Sequence, residues 1–91
     1  MILTSEDIKL LKRWGYVERD IPQIKKAIRR SSYELYDKTT HENKCITADD
    51  AAQVLGREQF LSGISRSAFH FTSAREMGNR VISFESSVLF K

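Results

Sequence analysis

Residues 46–68 read ITADDAAQVLGREQFLSGISRSA, a stretch in which two helical patterns follow one another. Thr47 can accept a hydrogen bond from the backbone N–H of Asp50, which marks a helix start, and Gly56 can take the left-handed conformation that ends a helix. Beyond this glycine the apolar residues recur at the spacing of one helical face: Phe60, Leu61, Ile64 and Ala68. The stretch therefore predicts a helix-turn-helix, with its second helix over residues 58–68.

Strand patterns lie on both sides of this pair of helices. Residues 69–75 and 80–85 alternate and carry strand-forming side chains, and residues 76–79 between them have turn chemistry. Residues 32–37, which include two tyrosines, show the same alternation. We therefore predict an antiparallel hairpin, joined in one sheet by the strand Tyr33–Tyr36, and an exposed loop over the polar residues 38–44.

Two further helices are predicted near the N-terminus. A hydroxyl cap at Thr4–Ser5 precedes an apolar stripe that ends at Gly15, and Pro22 suits the first turn of a second helix. The predicted fold is α+β and winged-helix-like, with a small antiparallel sheet, the order α-α-β-α-α-β-β and one domain over residues 1–91. Residues 88–90 are expected to close over a core formed by Ile8, Leu11, Trp14, Ile24, Ile28, Leu55, Phe60, Leu61 and Ile64.

The composition sets the broad class. The 91 residues carry a net charge of +3 with a pI near 9.2, a mildly basic balance that permits nucleic-acid binding without requiring it. No apolar run approaches the roughly 18 residues that a membrane span needs, and the signal-peptide pattern is absent, so a cytoplasmic protein without membrane contact is expected. Cys45 is the single cysteine, which excludes an internal disulfide and predicts a buried or half-buried apolar role.

Catalytic and metal-binding patterns are missing from the sequence. His41 and His70 are isolated, without the neighbouring ligands of a metal site, and the glycines do not form a phosphate-binding loop. Serines are frequent, but no motif for a base or an oxyanion hole accompanies them. We therefore expect no enzyme activity, cofactor, metal or small-molecule substrate, and place His70 at a partly exposed position of the sheet.

The helix predicted around Phe60 carries the most informative polar residues. With its apolar stripe turned inward, Gln59, Ser62 and Arg66 point outward together, and glutamine and arginine suit bidentate contacts with adenine and guanine edges. An ordinary polar helix face is the alternative. Gly63 inside this helix costs up to ~1 kcal/mol relative to alanine, which a close approach to DNA or to a protein, or a helix kink, would explain.

Basic residues elsewhere extend this candidate nucleic-acid-binding site. Arg75 and Arg80 flank the hairpin turn, which contains Asn79. Like charges that face each other across two strands repel, so a bound anion would be favourable there, and the neighbouring Glu76 is the alternative source of negative charge. Residues 57–80 as a whole are locally positive, with four arginines against two glutamates. The second helix adds four cations, which form either a phosphate-binding surface or a solvated face: Lys25, Lys26, Arg29 and Arg30.

The order of elements resembles the winged helix-turn-helix family, in which the second helix of the pair enters the major groove and the hairpin forms the wing. The string Ile46-Thr47-x-x-Asp50-Ala51-Ala52-x-x-Leu55-Gly56 is similar to the opening helix of the excisionase and MerR-like subgroup. Residues 78–82 and 86–89 are similar to the wing and return of that subgroup.

One departure from the subgroup leaves the start of the second helix open. The subgroup begins this helix directly after the Leu-Gly pair, often with a start such as Ser65-Arg66-Ser67, whereas residues 57–64 intervene here. Either the helix starts near Glu58, which gives the apolar residues a common face and is favoured, or it starts near Ser65 and makes residues 69–71 helical.

The resemblance covers about half of the chain and implies binding to double-stranded DNA. The chain also resembles, more loosely, small uncharacterised proteins of phages and mobile elements. The leading hypothesis is a small DNA-binding regulator or excisionase-like factor of a phage or mobile element. The alternative is a protein-binding module on the same fold, such as a small phage-type inhibitor of the anti-CRISPR kind, with a protein as its partner.

Overall fold

A computed structural model describes residues 2–69 and 72–86 of the chain. Its helices and strands come in pairs, and a short 3₁₀ turn, Glu18–Asp20, precedes the second helix. In chain order they are α1 (Ser5–Arg13), α2 (Ile21–Arg30), β1 (Ser31–Asp37), β2 (Glu42–Ile46), α3 (Ala48–Leu55), α4 (Arg57–Phe69), β3 (Thr72–Met77) and β4 (Arg80–Ser86). The fold class is therefore α+β, as the sequence predicted.

The four strands form one antiparallel sheet in the order β2-β1-β4-β3. Tyr33 of β1 pairs with Phe84 of β4, and Ala74 of β3 pairs with Ser83 of β4. Both the predicted hairpin and its predicted extension by the strand at Tyr33–Tyr36 are thus confirmed. The two central strands, β1 and β4, come from before and after the α3–α4 pair in the chain and are hydrogen-bonded to each other in the sheet.

Strand β2 contradicts the predicted loop over residues 38–44 and the predicted order, which lacked this strand. Apart from half-buried Ile46 its residues are exposed, so no apolar alternation marks a strand at this edge of the sheet. The turn before it is fixed by Asp37, whose carboxylate accepts a hydrogen bond from the backbone N–H of Thr39 at 2.8 Å. Cys45 is exposed on β2, and its predicted buried or half-buried role is wrong because this edge strand leaves its outward side open.

The boundaries of α4 decide between the two predicted starts. The helix runs from Arg57, in agreement with the favoured start near Glu58, and the alternative start near Ser65 is wrong. Phe69 ends this helix instead of opening the hairpin, whose first strand begins at Thr72. Predictions on five other residues fall outside the described part of the chain: His70, Phe71, Val88, Leu89 and Phe90.

Helix α3 begins and ends as the sequence predicted. Thr47 Oγ1 accepts a hydrogen bond from the backbone N–H of Asp50 (3.1 Å), and the Asp50 carboxylate accepts one from the backbone N–H of Thr47 (3.4 Å). This reciprocal cap satisfies two donors that the first helical turn leaves unpaired. Gly56 ends the helix with a φ of 85°, a value that residues with a Cβ rarely adopt.

The core lies between the helices and one face of the sheet, with α4 in the middle. Helix α4 contacts α1, α2 and α3, and also β3 and β4. Phe60, Tyr33 and Phe84 form an aromatic cluster in which each pair of ring centres is 5.7 Å apart. The Tyr33 hydroxyl donates a hydrogen bond to the carbonyl of Ile28 (2.8 Å), so its buried polar tip is satisfied.

The predicted core is mostly confirmed, with one clear error. Trp14 is 38% exposed because it follows the last residue of α1, where the chain turns away at Gly15, and Ile8 is only half-buried. The buried members of the predicted set are Leu11, Ile24, Ile28, Leu55, Phe60, Leu61 and Ile64.

Candidate nucleic-acid interface

The surface of α4 that faces solvent is a narrow strip. Gln59 and Arg66 are exposed and Ser62 between them is half-buried, whereas most of the remaining described side chains of this helix after its first turn are buried. The cause is the central position of α4, which packs against helices on one side and against β3 and β4 on the other. The three predicted residues therefore share a row, but only one residue in each turn is available to a ligand.

Arg75 connects the hairpin to this strip. It lies opposite Ile82, a core residue, so its side chain leaves β3 on the side of the sheet that faces the helices. Its Nη2 donates a hydrogen bond to Ser62 Oγ (2.7 Å), and its Nη1 donates one to the carbonyl of Ala74 (3.3 Å). The structure thus brings together two predicted residues that are 13 positions apart in the sequence.

A depression of about 340 Å³ lies between α4 and β3, next to this contact. It is lined by Arg66, by Arg75 and by residues 72–74, and none of these described lining residues carries a carboxylate. The Ser73 hydroxyl is buried and has no hydrogen-bond partner among the described residues. Two guanidinium groups at one depression are suited to bind the oxygens of an anion, a phosphate or a carboxylate. We call the depression lined by Arg66, Arg75 and residues 72–74 the α4–β3 cleft.

Sequence reasoning identified the two arginines of the α4–β3 cleft but missed Ser73. The spacing of Ser73 and Arg75 could have indicated it, because residues two positions apart on one strand lie on the same side of the sheet. Only the register against β4 shows that this side faces α4.

The other hairpin residues of the predicted site lie elsewhere. Arg80 lines a separate depression with Asp37 and Glu42, so its surroundings carry both signs of charge. Asn79 is exposed in the turn, and its carbonyl accepts a hydrogen bond from the backbone N–H of Lys38 (2.7 Å). Arg75 and Arg80 share the inner side of the sheet, as diagonal neighbours, yet they line different depressions.

Glu76, the alternative partner for those arginines, lies on the opposite side of the sheet. It pairs with Val81, whereas Arg75 pairs with Ile82 in the next position. Its carboxylate forms an ion pair with Lys38 Nζ at 3.1 Å. The α4–β3 cleft is therefore not neutralised by the glutamate nearest in sequence.

The cations of α2 form a separate basic surface. Lys25, Arg29 and Arg30 are exposed and Lys26 is half-buried, because the opposite side of the helix packs into the core. Arg29 lines a depression that also includes Asp49 at the start of α3. None of the four residues lines the α4–β3 cleft.

Arg57, the remaining arginine of the positive segment 57–80, has a structural role that the sequence did not indicate. Arg57 Nε donates a hydrogen bond to Asp7 Oδ1 (3.1 Å), and its Nη2 contacts both Asp7 Oδ2 and the carbonyl of Ile2. Asp7 is buried and also caps α1 through Thr4. The hydrogen bonds from Arg57 hold the pKa of the Asp7 carboxyl below its ordinary value, although burial opposes the shift. Arg57 therefore anchors α4 to α1 and adds no free positive charge to the cleft.

No group of three or more histidine, cysteine, aspartate or glutamate residues in ranges 2–69 and 72–86 is arranged to hold a metal ion. No helix in that part of the chain has both the length and the apolar character needed to cross a membrane. Comparisons of the chain with protein-family models, with curated proteins and with solved structures found no significant match.

Proposed function

We propose that the chain is a winged-helix-like DNA-binding protein, in which α3 and α4 form the helix-turn-helix and β3 and β4 form the wing. The order α2, β1, α3, α4, β3, β4 supports this proposal, with β2 as an additional edge strand. The observation that carries it is the α4–β3 cleft, where Arg66 and Arg75 line one depression and Arg75 is hydrogen-bonded to Ser62 of the exposed row of α4. A regulator or excisionase-like factor of a phage or mobile element is the biological role that fits.

In this proposal the exposed row of α4 and the α4–β3 cleft have two different tasks. Gln59 and Arg66 are exposed on α4 and contact base edges, because their side chains are suited to adenine and guanine. Arg75 is held by Ser62 at the border of helix and wing, where a phosphate of the same duplex binds its free guanidinium edge.

Fluorescence anisotropy with labelled duplexes across a salt series tests this proposal. The affinity of the parent protein should fall linearly with salt on logarithmic axes, since bound phosphates release counterions. Arg66→Ala should lose discrimination between sequences by about 1–3 kcal/mol, and Arg75→Ala should weaken binding to all sequences and lower the salt slope by about one.

The matched control is Arg13→Ala, which removes the same charge from the exposed end of α1, away from the cleft. Its affinity should stay close to that of the parent. A protein without salt-sensitive affinity for any duplex at low ionic strength would contradict the proposal.

A protein-binding module on the same fold, of the small phage-inhibitor kind, is the second candidate. It is favoured by the narrowness of the exposed α4 strip, which leaves few side chains for base edges. Carboxylates bind an arginine fork as phosphates do, so an acidic protein segment also fits the α4–β3 cleft. An acidic peptide that binds at Arg66 and Arg75 and is not displaced by duplex DNA would select this candidate.

A further inference from the structure

The side of the sheet that faces away from the helices is open and negatively charged. Tyr33, Ile82 and Phe84 are buried against α4, so the neighbouring positions on the same strands point outward. Following the register across β1–β4, we call these outward-pointing residues the outer sheet face. In the described strands this face holds three glutamates and neither lysine nor arginine: Glu34, Glu76 and Glu85.

The outer sheet face has a depression of about 460 Å³ across β1, β4 and β3. Its floor contains Ala74 and Ser83, two small residues that pair directly across β3 and β4. Glu34, which pairs with Ser83 from the other side, and Glu85 belong to its lining. Small side chains in the middle and carboxylates at the border leave room for a long side chain with a positive end.

Among the described residues, no cation is paired with the carboxylates that line this depression. Glu76, farther along the face, is already paired with Lys38. Within residues 2–69 and 72–86, Glu34 accepts a hydrogen bond from the neutral amide of Asn43 (3.3 Å) and forms no ion pair, and Glu85 has no ion pair there either. Glu34 and Glu85 are diagonal neighbours on adjacent strands, and such like charges repel each other. A cation bound between them would relieve that repulsion.

We propose that the outer sheet face docks a cationic segment of a partner protein, with one lysine or arginine side chain above Ala74 and Ser83, between Glu34 and Glu85. Charge complementarity selects this occupant. The whole chain has a net charge of +3, so a cationic segment is attracted at short range only where acids are concentrated. Tyr36 and Val81, half-buried on the same face, offer apolar contact to the aliphatic stem of such a side chain.

An NMR titration of the full chain with a short synthetic peptide of alternating arginine and serine tests this proposal. The largest amide shifts should fall on Glu34, Ala74, Ser83 and Glu85, at low and at physiological salt. The double variant Glu34→Gln/Glu85→Gln should weaken peptide binding about tenfold, the combined size expected for two favourable exposed ion pairs. A peptide with glutamate in place of each arginine should leave these four amides unchanged.

The control is Glu6→Gln/Glu58→Gln, which removes two exposed carboxylates from α1 and α4 and leaves the sheet unchanged. It should bind the arginine peptide as the parent does, and thermal melting should show all variants folded. Equal weakening in both double variants, shifts spread over the helices, or no binding would overturn the proposal. Concentration-dependent broadening of the same four amides without peptide would overturn it in favour of a second copy of this chain.

Discussion

Gly63 lies where α4 crosses the ring of Phe84, and a Cβ at this position would stand 2.7 Å from two ring carbons. The sequence suggested a close approach to DNA, to a protein, or a kink. The close approach is instead internal, because the glycine lets the helix rest on the central strand β4. The absence of a side chain therefore sets the spacing between α4 and the sheet, and it explains why a residue with poor helix propensity occupies the helix interior.

Replacing Gly63 with alanine should destabilise the fold by about 1–3 kcal/mol, since overpacking outweighs the ~1 kcal/mol gained in helix propensity. Urea unfolding followed by circular dichroism measures the effect. In a second variant, Phe84→Leu removes the ring, and the same glycine substitution in that background should cost less. An alanine variant more stable than the parent would show that the ring moves aside freely.

The Asp7–Arg57 pair makes stability depend on pH at the acidic end. Because Arg57 lowers the pKa of Asp7 in the folded state, the pair contributes stability above about pH 4, and the contribution disappears as the pH falls through the folded pKa. Asp7→Asn should cost about 1–2 kcal/mol near neutral pH, less than a fully buried pair because the Arg57 side chain is 45% exposed.

Unfolding free energies of parent and Asp7→Asn from pH 7 to pH 2 check this prediction. The two curves should approach each other in acid, where the parent carboxylate is protonated. Glu6→Gln, on an exposed acid of the same helical turn, should run parallel to the parent. A difference between parent and Asp7→Asn that stayed constant with pH would rule out the assigned charge interaction.

At the scale of elements, the pair α3–α4 and the hairpin β3–β4 could be predicted from the sequence, whereas β2 could not. Thr47, Asp50 and Gly56 mark helix boundaries by local chemistry, which needs no tertiary context. Strand β2 exists through backbone pairing with β1, and its exposed side chains carry no pattern of burial. The helical spacing predicts a buried Trp14, but this residue lies one position past the end of α1 and is exposed.

The candidate site divides in the same way. The shared row of Gln59, Ser62 and Arg66 followed from helical spacing alone. The position of Arg66 and Arg75 at one depression depends on the register between β3 and β4 and on the packing of α4, which are long-range features. The hydrogen bonds between Arg57 and Asp7 join residues that are 50 positions apart, and no local sequence pattern predicts them.

Phe60 joins three elements, since its ring contacts Tyr33 of β1 and Phe84 of β4 from within α4. Phe60→Ala should therefore cost about 3–5 kcal/mol, a large share of the stability of a small domain. Thermal or urea unfolding measures this cost. Met77→Ala is a control for the loss of an apolar side chain, because Met77 is 44% exposed, and it should change the midpoint little. If Phe60→Ala melted with the parent, the central position assigned to α4 would be wrong.

Two of the charged surfaces described above lie on opposite sides of the sheet. The cations of α2 and the arginines of the α4–β3 cleft lie on the helical side, and the glutamates of the outer sheet face lie on the other. A nucleic acid is repelled by the second side and attracted by the first. The proposed duplex and the proposed cationic segment are therefore expected to approach from opposite sides of the sheet, although residues 72–74 border both depressions.

This arrangement predicts how the basic surface of α2 takes part in DNA binding. If a duplex extends from the α4–β3 cleft to α2, then Lys25→Ala and Arg29→Ala weaken binding to all sequences, and each flattens the salt dependence by about one unit of slope. Anisotropy titrations across salt measure both effects. Lys9→Ala on α1 is the matched control and should leave the slope unchanged. Unchanged slopes in the two α2 variants would confine the interface to the cleft.

Lys38 connects the tips of the two hairpins, through its backbone N–H to the Asn79 carbonyl and through its ammonium group to Glu76. A hairpin tip that is free in solution loses conformational entropy when a ligand orders it, about 1–2 kcal/mol for each backbone residue that becomes fixed. The bridge of Lys38 imposes this order during folding, before any ligand arrives. If Arg75, on the strand that leads to this tip, binds a phosphate as proposed, it should do so in a segment that is already arranged, and association should need no slow ordering step.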